Sequence, residues 1–408
     1  MKFFFFISFC ILFPYSLKAQ YDWITYSNGG NLADAIRCIE FVNNDEIWVG
    51  TLDNGLQYFN GYSFTIFNTL TSPIPGNRVY DILLEPDKLK LIATNKGLAV
   101  YDDKSWTIYT SENSKLPGNS VISMVKEEQG RIWYGTDGGV VTDLFGTVYN
   151  SENSGLPGNQ ILDMQIGQDG TIWYGTENGI ASFNGSDWET YKTGTGLLPG
   201  GAVSEIEIDL HGNIWISITN AITGNLMMFD GAEWTLMDTT SDIFEGAAIT
   251  CIRTKKNGEL WFGTHHKGLI KYDGLTWEKF LTNNSAIPIN QIVSIAVGPE
   301  DNLWMGSRKG LTKVISSPSS NLIPTEESIS VQVTPNPFKY FTEISVPEQI
   351  ERPYSFSLYN TYGMELKLMN EIQSKIFILR NEGFESGLYF YKILSGSEQL
   401  TGKLFVID

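Results

Sequence analysis

The sequence predicts an all-β chain, and three observations predict it. A Trp-x-Gly-Thr tetrapeptide or a degenerate form of it recurs seven times, at intervals of 40 to 46 residues. Glycine supplies 40 of the 408 residues, and 11 Trp, 19 Tyr and 23 Phe make 53 aromatic residues. Glycine allows positive φ in tight turns and aromatic side chains favour pleated surfaces. Between the tetrapeptides lie short β-branched and aromatic runs in period-2 alternation, separated by turns such as Gln168-Asp169-Gly170 and Lys256-Asn257-Gly258. Charged residues are 18% of the chain, too few for a coiled coil or a long disordered acidic tract.

The chain begins with Lys2, an apolar run from Phe3 to Phe13, and Pro14 to Ala19. A positive start, a short apolar core and a small residue before the cut predict a secretory signal peptide over 1–19. The run is too short to span a bilayer, and no later stretch approaches the ~18 apolar residues a span needs. Cys10 lies inside the apolar core and is not read as a lipoprotein cysteine. Beyond the signal, Cys38 and Cys251 fall in equivalent strands of non-neighbouring repeats and are expected to be buried free thiols.

The repeat organises residues 20–316. Full copies are Trp48-Val49-Gly50-Thr51, Trp133-Tyr134-Gly135-Thr136, Trp173-Tyr174-Gly175-Thr176, Trp261-Phe262-Gly263-Thr264 and Trp304-Met305-Gly306-Ser307. Leu91-Ile92-Ala93-Thr94 and Trp215-Ile216-Ser217-Ile218 fill the gaps. Each period opens on an apolar-x-x-apolar strand, as in Ile161/Met164. The tetrapeptide strand follows, then a third such as Gly97 to Tyr101 and a fourth such as Ser105 to Tyr109. Four-stranded antiparallel meanders repeated seven times predict a seven-bladed β-propeller. The seventh repeat lacks a fourth strand, while Asp22 to Tyr26 is an orphan one. Pairing the two completes the last blade and leaves no open end.

Leu116-Pro117-Gly118-Asn119 and Leu156-Pro157-Gly158-Asn159, with Ile74-Pro75-Gly76-Asn77 close to them, precede the apolar strand and the tetrapeptide in phase. This linked pattern resembles the two-component-regulator propeller repeat, familiar from periplasmic sensor regions of bacterial hybrid histidine kinases. The chain departs from those kinases in having no transmembrane helix and no kinase-sized region. Signalling by that route is therefore not expected.

A polar, Pro-containing linker is expected over 317–327, and 328–408 reads as a second β segment, short strands split by Pro and Gly turns, enough for a small Ig-like β-sandwich. Thr334-Pro335-Asn336-Pro337-Phe338, Tyr359-Asn360 with Gly363, and Gly387-Leu388-Tyr389-Phe390-Tyr391-Lys392 occur in order. Together they resemble the type A C-terminal sorting domain of the type IX secretion system of Bacteroidetes. The resemblance implies export through the outer membrane, to the cell surface or the medium, with that secretion machinery as a partner.

The formal net charge is −18. Removing 1–19 takes away Lys2 and Lys18 and no acid, leaving 26 basic against 46 acidic residues, or −20. Such a surface repels phosphate backbones, so no nucleic-acid partner is expected. In a meander propeller the loops between second and third strands gather on one face with the connections between blades, the default ligand face. There blades six and seven place His265, His266, Lys267, Arg308 and Lys309 side by side. This basic sector is the candidate ligand site, suited to a uronic acid or sulfate on a glycan through charge-assisted hydrogen bonds. Solvated loop tips are the simpler alternative. The third position of the first strands reads Cys38, Asp81, Ser123, Asp163, Glu205, Cys251, Ser294. Asp81, Asp163 and Glu205 form a candidate polar ring in the channel, expected to accept hydrogen bonds from neighbouring blades or water rather than to hold a cation. The repeat tryptophans are expected in the inter-blade core.

Catalytic residues, a metal and a cofactor are not assigned: no Gly-rich phosphate loop, serine-nucleophile motif or Cys-x-x-Cys is present, and His211 is expected on the opposite face. The leading expectation is a secreted or surface-attached binding protein for a glycan or an envelope protein. An extracellular polysaccharide or lactone lyase is the enzyme alternative, since streptogramin lyases share the superfold, and a structural surface protein is the third.

Overall fold

A computed structural model describes residues 20–26, 35–220, 223–237, 243–317, 331–348, 350–360, 365–396 and 398–407. The signal segment 1–19 and nearly all of the expected linker lie outside them. The chain divides into two compact units, Met1–Ser319 and Ser320–Asp408.

The first unit contains seven four-stranded antiparallel sheets. Blade 1 spans 36–67, and blades 2 to 6 follow in chain order at 79–109, 121–149, 161–192, 202–237 and 249–280. Blade 7 takes its first three strands from Ser294–Val297, Leu303–Ser307 and Gly310–Ser317, and its fourth from Gln20–Tyr26. Seven residues pair in the closing strand, from Gln20 opposite Ser317 to Tyr26 opposite Leu311. Each first strand packs against the next, and that of blade 7 against that of blade 1, so the ring closes.

The apolar-x-x-apolar spacing of the first strands is odd for a strand, where positions three apart face opposite sides. A β-bulge resolves it: in blades 1 to 6 the register shifts between the first and third positions, as between Ile161 and Asp163. Both apolar positions thereby enter the core, and the second, third and fifth positions turn toward the axis. In blade 7 the regular strand starts only at Ser294, although Val293 N still donates to Gly306 O at 2.9 Å.

The core lies between blades. Trp133 and Val140 of blade 3 pack with Ile161, Met164 and Tyr174 of blade 4. The six repeat tryptophans are all buried, so the even spacing reports inter-blade packing. The tetrapeptide glycine is required by close approach: a Cβ on Gly263 would stand 2.4 Å from Cys251 Sγ, and on Gly306 2.6 Å from Ile36 O. The threonine hydroxyl closes the following turn, as in Thr176 Oγ1 donating to Gly179 O at 3.0 Å. The asparagine of Leu-Pro-Gly-Asn pins the loop between blades; Asn119 and Asn159 each accept the amide eight residues earlier, at 2.8 Å.

In the second unit a three-stranded sheet (Gln332–Thr334, Phe341–Ser345, Ile376–Arg380) and a four-stranded sheet (Glu365–Ile372, Tyr354–Tyr359, Gly387–Ser395, Glu398–Val406) share one core. Phe338, Ile344, Phe356, Leu379, Tyr391 and Leu404 are at its centre. Asn336 of the Pro-Asn-Pro motif ties the start of the unit to its last strand, accepting from Phe405 N at 2.7 Å. Gly363 lies outside the described residues.

Candidate functional site: the channel and its mouth

The inward-facing positions of the first strands line an open cavity of about 720 Å3. Its third-position ring links blade to blade. Asp81 accepts Met124 N of the next blade at 2.7 Å and its neighbour Ile82 N at 2.9 Å. Asp163 accepts Ile206 N and Met164 N, both at 2.8 Å. Glu205 Oε1 accepts Ile252 N at 3.4 Å, and Ser294 Oγ donates to Ile36 O at 2.8 Å. Cys38 and Cys251 complete the ring as free thiols. Among the described residues no group of three His, Cys, Asp or Glu side chains is placed to hold a metal ion.

The fifth position of the same strands contributes Glu40, Gln165, Glu207 and Arg253, which the sequence reading did not single out. The signal was available: third and fifth positions share a face in a period-2 strand. Arg253 Nη1 donates to Glu205 Oε1 at 2.8 Å and lies 3.8 Å from Glu207 Oε2. Glu207 Oε1 also accepts Thr254 N at 2.7 Å. Burial would lower the Arg253 guanidinium, but Glu205, Glu207 and Asp163 hold it firmly charged. Burial pushes Glu40 up to about 8, with Asp81 adding to the rise, and Asp81 up to about 6. Burial likewise raises Glu207 to about 7 and raises Asp163, the latter further through Glu205. The channel interior is therefore a tight acidic network around one arginine, with a reduced charge at neutral pH.

The five predicted ligand residues separate. His265 and Arg308 line the cavity at its mouth, with Arg37, whose guanidinium lies 5.0 Å from the Tyr80 ring centroid. His266 sits beside His265, their centroids 5.9 Å apart, over a shallow shelf with Thr282 and Pro288. Lys267 is turned to Glu245, which also accepts from Lys279 at 2.8 Å. The two lysines hold the Glu245 carboxyl down at about 2. Lys309 is exposed and does not line the cavity. Glu245 lies within the 46-residue interval from Trp215 to Trp261, the longest in the repeat; that extra length was the signal for a non-repeated loop here.

The family profile described as secretion system C-terminal sorting domain matches residues 332–407. That described as two component regulator propeller matches 115–138 and 155–178. No curated protein matches the chain. Among solved structures, the extracellular domain of a hybrid two component system from B. thetaiotaomicron aligns with a TM-score of 0.60 at 17% identity, over 94% of this chain and 57% of that one. PorZ, an essential surface component of the type IX secretion system of Porphyromonas gingivalis, aligns at 0.56 and 16%, over 94% of this chain and 61% of its own. A catalytically inactive virginiamycin B lyase from Staphylococcus aureus aligns at 0.57 and 16%, over 72% of this chain and 99% of that one. At these identities the likeness is one of fold. No helix among the described residues is long and apolar enough to cross a membrane. Blade count, repeat and sorting sequence agree: the chain is a seven-bladed propeller, with two-component-regulator propeller repeats matched at 115–138 and 155–178, followed by a type IX secretion system sorting domain, which indicates export across the outer membrane to the cell surface or the extracellular space.

Proposed function

We propose that the exported propeller is a binding protein that takes the anionic group of a glycan, a sulfate or uronic acid, at the channel mouth. The observation that carries this reading is the convergence of Arg37, His265 and Arg308 on one open cavity in a chain of net charge −18. Arg308 makes no ion pair among the described residues, whereas Lys267 is neutralised by Glu245. The mouth cations offer charge-assisted hydrogen bonds, and Tyr80 under Arg37 offers a ring face. The sorting domain implies engagement with the secretion machinery during export.

The lyase reading has His265 at the mouth and His266 beside it over the shelf, but no carboxylate among the described residues hydrogen-bonds either ring; binding takes precedence. Calorimetric titration of the full chain with sulfated, uronic and neutral oligosaccharides tests the proposal. Each lost charge-assisted bond is worth ~1.5–3 kcal/mol, or roughly 10- to 100-fold in affinity. Arg308→Ala and Arg37→Ala should each weaken an acidic glycan on that scale. Equal heats for neutral and acidic glycans, unchanged in both variants, would sink it. Capture of an envelope protein with no glycan response would point to a protein partner instead.

A further inference from the structure

Four strands form the outer edges of the two sheets of the sorting unit, and three of them are blunted against further pairing. Gln332–Thr334 is three residues long and runs into Pro335 and Pro337. Glu365–Ile372 shifts register twice against its neighbour, with Glu371 at φ 57. Glu398–Val406 carries Lys403, and Phe338 covers its C-terminal end: Phe338 N donates to Phe405 O, and Phe338 O accepts from Ile407 N, both at 2.9 Å. Short strands, prolines, bulges, lysines and covering segments are the devices by which sheets avoid unwanted pairing.

The fourth edge, Ile376–Arg380, has none of these. It pairs with Phe341–Ser345 alone, in unbroken register, and contains no Pro, Gly or bulge. The ladder determines which groups are left over. Asn381 N donates to Tyr340 O at 2.9 Å and Val346 N to Lys375 O at 2.8 Å. Hydrogen-bonded pairs alternate along an antiparallel ladder, so Phe377 and Leu379 carry the bonds to the neighbouring strand. Ile376, Ile378 and Arg380 then turn their N–H and C=O groups to the open side. The side chains alternate with the same period: Phe377 and Leu379 enter the core, while Ile376 and Ile378 stay 46% and 50% exposed. Phe341, opposite Arg380 on the neighbouring strand, extends this apolar outer surface.

We propose that Ile376–Arg380 is the docking edge of the sorting unit, onto which a component of the type IX secretion machinery adds an extended strand. The occupant follows from the role of the unit. The sorting profile covers 332–407, which is this unit alone, and a sorting domain works by being recognised by another protein. Open backbone groups on a sheet edge are recognised by a further strand, with side-chain contacts adding specificity. From Val331 to Asp408 there are seven basic and nine acidic residues, in a chain of net charge −18. Recognition here therefore draws on backbone pairing and apolar contact rather than on charge. The incoming strand alternates, placing apolar side chains beside Ile376 and Ile378. The docking edge rests on the sorting assignment and is independent of the glycan reading.

The test follows export of the full chain from a type IX-secreting host, by immunoblot of medium, cell surface and periplasm. Ile378→Pro removes an N–H that the sheet does not use, a place where an edge strand tolerates proline. Ile376→Lys combined with Ile378→Lys puts charge on the same edge and leaves the backbone donors in place. Leu394→Ser, at an exposed site on the other sheet, is the control. Both edge variants should lower the exported fraction by roughly three- to tenfold, the scale of a lost net hydrogen bond. Circular dichroism and the urea midpoint of the purified chains should stay near the parent's, and Leu394→Ser should be exported as the parent is. The double lysine variant keeps the test open if Ile378→Pro does not fold. The proposal is overturned if the folded edge variants are exported like the parent, or if Leu394→Ser lowers export equally. It is also overturned if the edge variants turn a dimeric chain into a monomer with export unchanged, which would assign the edge to a second copy. Export of the parent from a host lacking the secretion system would instead refute the sorting assignment, and the docking edge with it.

Discussion

Tyr21 in the closing strand offers a direct measure of how much ring closure contributes to stability. Its ring meets Trp261 edge-on at 5.6 Å and Phe280 at 5.3 Å, and its hydroxyl accepts from Lys271 Nζ at 3.0 Å. Burying a whole aromatic side chain is worth ~1.5–3 kcal/mol, and Tyr21 is half-buried, so about half of that applies. The two edge-to-face pairs add ~0.5–1.5 kcal/mol each beyond area, and the hydrogen bond about 1 kcal/mol. Tyr21→Ala should therefore cost about 4 kcal/mol. Tyr21→Phe should cost only about 1 kcal/mol, because Lys271 keeps Glu278 at 3.1 Å. Urea unfolding of the full chain, read by circular dichroism and tryptophan fluorescence, separates them: both midpoints fall, in the ratio of roughly four to one at unchanged slope. Equal losses in the two variants would mean that the ring contacts contribute nothing. No change in either would mean that the strand does not close blade 7.

Gly306→Ala is expected to lower stability by ~1–3 kcal/mol through overpacking, because its Cβ would press on Ile36 O of blade 1; a wild-type midpoint would refute the close-approach argument. Arg253→Leu should cost about 2 kcal/mol, less than the ~3–5 of a fully buried pair because 35% of the arginine side chain is accessible. Adding Glu205→Gln should recover part of that loss, and a purely additive double variant would deny the pair. The raised Glu40, Glu207 and Asp81 carboxyls bind protons in the folded chain at pH values where the unfolded chain, titrating near about 4, has released them. Stability from these groups is present below that unfolded value and is lost as pH rises toward about 8. The urea midpoint should be lower at pH 8 than at pH 5.5, and Glu40→Gln should narrow the gap; an undiminished gap would assign it to other groups.

Blade number, closure by the N-terminal strand, burial of the repeat tryptophans and the sorting module were legible in the chain. Each depends on interactions that recur at a fixed spacing: the Thr176 hydroxyl closing its turn, the Asn159 amide pinning its loop, and Trp133 filling the same inter-blade space as Trp261. Short-range hydrogen bonds and periodic burial are properties of local sequence, so they can be read from it. The placement of the candidate ligand residues was legible only in part. His265 and Arg308 reach the channel, but Lys267 meets Glu245 from the irregular loop before blade 6, a partner no repeat predicts. The apolar-x-x-apolar pattern did not disclose the bulge that turns Glu40, Glu207 and Arg253 inward. Which charges meet at the axis depends on side chains from blades far apart in sequence, and their desolvation exists only once the ring has closed.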